Sequence, residues 1–510
     1  MSRLLRNGIS GYLGSLTTLA IGLVLTPFMV RHLGQEGFGV WVLVTSLALY
    51  LALLDFGMGD AVMRYVAVAR ARGDESGVCG VVSTAFGIYL IAGLLSVLVA
   101  GGMAYIALPA LDVPPNLLDA AQMFLLGLGV GGLFWLPAKA WDGALRGAQR
   151  FDLANGIQIL NSLVLAGGTV LVLGNDGGLH GLAVLNAAAG LAVAAAQVMV
   201  GVWAVAGARV RRGRFDRGLA KTLVRYSGWI SVVNVSYQVY ARFDAVLLAI
   251  FFPIAAITPY NVSYRAASLL GEALKPVLKL LLPMATTLHT QRKDRELRTL
   301  FLLSTRIALA ASLAGGITLG FLGERLIRLW IGASLAAGTP VLLAFLAFFA
   351  ISNLVSPARE VLKGQNRLRL LGFTAVGDTV ANIALSAALA RPFGIVGVAL
   401  GSLIPSAVVS LGVLLPSVTR QLGLTAREFF GEVVAASVLP SGVLVLLLPA
   451  ITRLVPADSW SRCGLIASLS VATFACLYLV SPGSSFERGL IRDRLRRRGQ
   501  ARFASAKEAP

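Results

Sequence analysis

Seven cations and five carboxylates stand inside stretches of this chain that are otherwise apolar. The cations are Lys139, Arg242, Arg265, Lys275, Lys279, Arg306 and Arg359, and the carboxylates are Asp142, Asp244, Glu272, Glu360 and Asp378. A charge at mid-bilayer costs about 2.5–3.5 kcal/mol or more unless it faces a wet cavity or a partner. An excess of fixed cations there suits an anionic group such as a diphosphate, while hydroxyl, amide and tyrosine positions suit sugars. At 100° per residue, Asn261, Arg265, Ser268, Glu272, Lys275, Lys279 and Thr286 share an arc of about 80°. Ser227, Ser231, Asn234, Gln238 and Arg242 form a second such stripe. A helix facing lipid would not keep either stripe, so both helices are expected to line a wet cavity. Arg242 lies about ten residues from the outer end of its helix and Arg265 about eight, which puts them at a similar depth. The candidate substrate path is therefore Arg242, Arg265, Lys275, Lys279, Gln238, Asn234, Asn261 and Glu272, with Arg306 and Lys139 as further members.

The same charges also admit structural pairings. Glu272 can reach Lys275 or Lys279 by helical spacing, and Asp244 can satisfy Arg242 or Arg265. Lys139 can pair with Asp142, and Asp60 with Arg64. Arg359 and Glu360 sit near a membrane face, where snorkelling is cheap. Asp55, near a helix end, is expected to serve packing rather than ion coupling. Pro27, Pro137, Pro276 and Pro283 fall within apolar stretches, where each removes a backbone hydrogen bond and favours a kink.

The elements that carry these residues are membrane spans. Hydrophobic residues make up 57% of the chain and charged residues 13%. A hydrocarbon core about 30 Å thick needs roughly 20 apolar residues per crossing, and fourteen stretches of that kind follow one another. The first is not expected to be a cleaved signal, because no small-residue cleavage site follows Val30. The fold class is thus an all-α polytopic membrane protein. The net charge of +20 invites a nucleic-acid reading, but its distribution argues otherwise. With the N-terminus inside, thirty-one Lys and Arg fall on the cytoplasmic side and six on the other. That bias places both termini in the cytoplasm, and no nucleic-acid partner is expected.

The spans repeat. Those of the first half begin at 9, 38, 80, 119, 154 and 179, and those of the second at 226, 258, 299, 336, 370 and 394. LRGAQRF (145–151) aligns with LKGQNRL (362–368), and GLHGLAV (178–184) with GIVGVAL (394–400). Six spans per copy is an even number, so the copies share one orientation and their pseudo-twofold lies along the membrane normal. The expected layout is a six-helix lobe over 1–207 and a basic cytoplasmic linker over 208–225. A second six-helix lobe follows over 226–420, then two additional spans over 421–482 and a basic tail over 483–510. Cys79, Cys463 and Cys476 form no metal spacing and no disulfide framework.

RHLGQEGFGVW (31–41), LLDFGMGDAVMRYVA (53–67) and VSTAF (82–86) resemble the N-terminal region of the bacterial polysaccharide-export family, the Wzx-type flippases of lipid-linked oligosaccharides. Asp244, YNVSYRAA (260–267) and RPFGIVGVALGS (391–402) extend the resemblance over roughly residues 5–420. That family belongs to the multidrug/oligosaccharidyl-lipid/polysaccharide exporter superfamily. The resemblance implies twelve to fourteen helices, two lobes, a V-shaped cavity and alternating access, with no catalytic residues. The implied substrate is an undecaprenyl-diphosphate-linked oligosaccharide carried across the bacterial inner membrane, and the implied partners are membrane lipids and a polysaccharide polymerase of the same pathway. No cofactor or metal is expected. A multidrug exporter of the same superfamily is the alternative; its cationic drugs would want an acidic cavity, and here cations exceed acids. A membrane glycan ligase or polymerase is disfavoured, because 101–118 and 323–335 are short and hold no His, and His32, His180 and His289 lie in separate loops.

Overall fold

The computed structural model describes residues 2–211, 214–279, 281–332, 338–454 and 457–481. The expected basic tail lies outside the described residues. The regular elements are helices: α1 Ser2–Ala52, α2 Met58–Ala71, α3 Glu75–Gly102, α4 Pro115–Gly147, α5 Phe151–Gly174, α6 Gly178–Ala204, α7 Arg217–Phe251 and α8 Ile257–Lys279. They continue with α9 Leu281–Thr290, α10 Asp294–Trp330, α11 Thr339–Gly364, α12 Leu368–Val409, α13 Leu415–Gln421, α14 Ala426–Phe429, α15 Ala435–Leu454 and α16 Trp460–Val480.

Among the described residues, ten helical runs are long and apolar enough to cross a membrane. Two of them, Ile21–Ala71 and Leu368–Gln421, run for 51 and 54 residues, more than one crossing needs. Each is broken by a glycine with non-helical backbone, Gly34 at φ 70° and Gly394 at φ 62°. Pro27 and Pro137 lie inside helices instead. The two helices with polar stripes, α7 and α8, are not among the ten, since their charges lower the hydropathy on which the ten rest. Dividing the two long runs at their glycines and adding α7 and α8 brings the crossings to fourteen.

The internal repeat is written in the backbone. Left-handed residues recur in pairs: Gly73 with Arg292, Asp112 with Gly332, Gln149 with Asn366, and Gly178 with Gly394, at separations of 219, 220, 217 and 216 residues. Gln149 and Asn366 follow the ends of α4 and α11, where a left-handed residue lets the last helical carbonyls find partners. The aligned LRGAQRF and LKGQNRL segments are therefore the same helix-ending turn in both copies.

Among the described residues, tertiary packing groups 2–262 with Leu368–Pro405 in one compact unit, and Ser263–Arg367 with 406–481 in another. In the first unit α2, α3 and α4 close around Val62, Tyr89, Leu136, Trp141 and Ala144. Their approach is close enough that a methyl on Gly147 would lie 2.5 Å from the Met63 carbonyl oxygen. The segment before α7 is fastened to this core. Trp141 Nε1 donates to the Ala208 carbonyl at 2.8 Å, and the amides of Arg211 and Asp216 donate to Ser83 and Thr84 at 3.1 and 3.2 Å. Asp216 caps α7, accepting from the amides of Gly218 and Leu219 at 2.7 and 3.1 Å. The helix thus starts within the expected linker rather than at 226. Asp74 caps α3, and its bonds from the Gly77 amide and the Ser76 hydroxyl hold its carboxyl below the usual carboxylate range. The cap is kept at neutral pH and given up in acid.

Within the same unit, the two arms of α12 fold against each other at Gly401. A methyl there would come 2.2 Å from Ser386 Oγ and 2.4 Å from its N and Cα. Backbone atoms cannot move aside as a side-chain tip can, so Gly401→Leu is expected to destabilise the protein by about 3 kcal/mol. A lowered unfolding temperature in detergent would register it. In the second unit α10 packs on α11 and on the appended helices α15 and α16, through Leu322, Leu444, Leu448, Ile466 and Phe474.

Candidate functional site

The polar stripe of α7 divides along its length. Ser227 and Ser231 are buried, and the Ser231 hydroxyl donates to the Phe56 carbonyl in the left-handed turn Phe56–Gly57. This end of the stripe seats α7 on the turn that follows α1, which corrects the expectation that the whole stripe is wet. Further along, Gln238 is half-buried and Arg242 is exposed. Asn234, between them, lies outside the described residues where its side chain is concerned.

Asp244 is two residues beyond Arg242 and points elsewhere, since residues two apart on a helix do not face each other. It is 8% exposed. Its Oδ2 accepts from the Tyr260 hydroxyl at 2.5 Å and from the Ser402 hydroxyl at 3.1 Å. Ser402 in turn accepts from Asn382 Nδ2 at 2.8 Å, and its carbonyl accepts from the Tyr240 hydroxyl at 2.5 Å. The network joins α7, α8 and both arms of α12. The expected partners of Asp244, Arg242 and Arg265, are replaced in these bonds by two hydroxyls. The opposite oxygen of Asp244 and the amide oxygen of Asn382 are buried without a hydrogen-bond partner among the described residues. Tyr260, Asn382 and Ser402 were not among the expected site residues. Only their proximity in the fold reveals them, because each is an ordinary polar residue in an apolar span.

On α8, Asn261 and Arg265 are half-buried. Lys275 pairs with Glu272 one turn earlier, as the spacing predicts, with side chains 56% and 32% exposed. Lys279, the next cation of the stripe, lies outside the described residues where its side chain is concerned.

The two outlying candidates are held by carboxylates. Lys139 on α4 pairs with Asp55 at 3.1 Å and lies 5.4 Å from the ring centre of Trp135. Tyr89 donates to the other oxygen of Asp55. The expected partner of Lys139, Asp142, is taken by Arg146 one turn on, at 2.8 Å. Asp55 is thus an ion-pair member and not only a packing residue. Asp60 and Arg64 form no ion pair among the described residues; the Arg64 guanidinium lies 4.4 Å from the ring centre of Tyr226. Arg306 on α10 is buried and pairs with Glu432 at 3.5 Å, in the wide π turn Phe430–Val434 ahead of α15. Two helical turns earlier, Arg298 lies 3.9 Å from Glu428. The appended helices therefore face α10 with two carboxylates. Glu432 escaped sequence reading because it opens its span, where a charge looks interfacial. Arg359 donates to the hydroxyls of Ser352 and Ser410 at 3.1 and 3.2 Å.

Of the ten candidate residues, the described cations with exposed or half-buried side chains on the two polar helices are Arg242, Arg265 and Lys275. Such a set can meet an anionic group chemically. It contains no nucleophile with an adjoining base, and among the described residues no group of three or more His, Cys, Asp or Glu could hold a metal ion.

Comparison with known proteins agrees with this architecture. The chain is 22% identical over 495 residues to the uncharacterized membrane protein EpsK of Bacillus subtilis, covering 94% of this chain and 96% of that one. It is 20% identical to a putative O-antigen transporter of Shigella flexneri, covering 78% and 93% of the two chains. It is 22% identical to the probable flippase AglR of Haloferax volcanii, covering 79% and 81%. Among solved structures, an inward-facing multidrug resistance MATE family transporter of the MOP superfamily superposes with a TM-score of 0.67 at 16% identity, covering 80% of this chain and 96% of that one. A MOP superfamily transporter from Pyrococcus furiosus, described by the reverse polarity of its binding pocket, superposes with a TM-score of 0.58 at 15% identity, covering 83% and 96%. The fold is that of the MOP superfamily. The model of the polysaccharide biosynthesis protein family matches residues 4–289, more than half of the sequence, and the chain is a multi-pass membrane protein of that family.

Proposed function

We propose that the protein flips an undecaprenyl-diphosphate-linked oligosaccharide from the inner to the outer leaflet of the bacterial cytoplasmic membrane by alternating access. Both termini face the cytoplasm in this reading. The observation that carries it is that each polar helix presents cations, Arg242 exposed on α7, and Arg265 half-buried and Lys275 exposed on α8. Fixed cations replace the hydration of a diphosphate as it leaves water, and the polyprenyl tail stays in lipid throughout. An anion leaving a negative interior gains about 2.3 kcal/mol per charge per 100 mV. A polymerase of the same pathway would consume the delivered glycan outside. The names of the O-antigen transporter and the flippase among its relatives support the same substrate class.

Deleting the gene in its host is the test. Lipid-linked oligosaccharide is expected to accumulate in the inner leaflet while surface polysaccharide is lost, and a plasmid copy is expected to restore both. Normal polysaccharide with altered sensitivity to cationic drugs would establish the multidrug alternative instead.

A further inference from the structure

A groove of about 660 Å³ opens in the first compact unit, away from any residue of the two charged helices. Its walls come from α4, from the early turns of α6, and from Tyr105 in the wide π turn Met103–Ala107 that extends α3. One end is polar, formed by Tyr105, Asp119 and Gln122; the remainder is apolar, with Gly127, Ala187 and Leu191 representative of its floor and sides. On α4 the lining runs from Asp119 to Val130, about 16 Å of helix at 1.5 Å per residue. That is about half of a 30 Å hydrocarbon core. With Asp119 at the outer end of the expected fourth span, that length matches the depth of a single leaflet. Its large apolar side chains are open rather than packed, with Met123, Val130, Val184 and Leu191 each more than 40% exposed.

These dimensions fit one acyl chain of a leaflet lipid, and the polar end selects its headgroup. Asp119 is an exposed carboxylate, and among the described residues it has no ion-pair partner. Gln122 spends its amide on the Ala104 carbonyl at 3.1 Å, which leaves its own oxygen as a second acceptor. Two acceptors, one of them negative, oppose a bare phosphate or a diphosphate. They suit a primary ammonium, which brings three N–H donors. Tyr105, 65% exposed, occupies the interfacial level where aromatic residues settle.

We propose that this groove is a binding site for an aminophospholipid, with the ammonium at Asp119 and Gln122 and one acyl chain along α4 and α6. None of the candidate path residues lines the groove, and the proposal does not depend on what is transported. On the charge bias of the loops it serves the outer leaflet.

The full chain, purified in detergent and exchanged with equal amounts of phosphatidylethanolamine and phosphatidylglycerol of identical acyl chains, tests this by native mass spectrometry. Retention of phosphatidylethanolamine is expected to exceed that of phosphatidylglycerol by roughly three- to fivefold, as an exposed charge pair allows. Asp119→Asn is expected to fold normally, since the side chain is exposed, and to bind both lipids alike. Ala187→Phe is expected to lower retention of both, with the unfolding temperature measured alongside. Equal retention by the unaltered protein, or selectivity that survives Asp119→Asn, overturns the proposal.

Discussion

Replacing Glu432 with alanine is expected to deplete the protein from the membrane, and adding Arg306→Met to the same chain is expected to bring it back. Arg306 is buried inside the second unit, and Glu432 lies 3.5 Å away. Removing one partner of a fully buried pair costs about 3–5 kcal/mol, because the remaining charge stays desolvated. Glu432 is 42% exposed, so this pair is only partly buried, and about 2 kcal/mol is the expected loss. The effect is asymmetric. The Arg306 side chain is 10% exposed and that of Glu432 42%, so the charge left by Arg306→Met is better solvated, and Arg306→Met should cost less than Glu432→Ala. Membrane abundance and thermal unfolding of the two single variants and the double variant form the cycle. Polysaccharide export read in the same strains separates the roles of Arg306. Recovery of both abundance and export by the double variant makes the pair a clamp between α10 and the appended helices. Recovery of abundance with export still lost places Arg306 on the substrate path.

This pair also marks where sequence reading stops. The fold was legible because each crossing carries its own signal in about twenty consecutive residues. The repeat was legible because its turns are local: Gln149 and Asn366 each end a helix in the left-handed region, and the surrounding residues align. The Glu272–Lys275 pair was legible by the same token, since one helical turn joins them. Lys139 pairs across 84 residues with Asp55, and Arg306 across 126 with Glu432. No periodicity encodes such distances. Local spacing even misled: it offered Asp142 to Lys139, but Arg146 takes that carboxylate one turn on. Face arithmetic grouped Ser227 and Ser231 with Arg242 on one side of α7. It could not say that the turn at Phe56–Gly57 covers one end of that side and leaves the other open.

Asp244 is where a local pairing and a distant one give opposite expectations for a single experiment. If Asp244 neutralised Arg242, removing both would restore what removing either destroys. The carboxylate instead accepts from Tyr260 and Ser402, and Ser402 accepts from Asn382; these three are 4%, 2% and 0% exposed. Asp244→Ala would leave two buried hydroxyls without an acceptor, at about 1–3 kcal/mol each. The expected loss is about 3 kcal/mol, read as a lower unfolding temperature and reduced membrane abundance. Asp244→Asn keeps an acceptor oxygen in nearly the same place, so most of the abundance should remain. Arg242 is exposed and, among the described residues, shares no bond with the network, so Arg242→Ala should leave abundance unchanged. The double variant should then match Asp244→Ala, additive within about 0.5 kcal/mol. Export should separate the residues differently. On the proposed diphosphate role, Arg242→Ala loses transport from a normally abundant protein and Arg242→Lys retains much of it. Rescue of Asp244→Ala by Arg242→Ala would mean that the two charges neutralise each other after all. The diphosphate would then have to be met by Arg265 and Lys275 without Arg242.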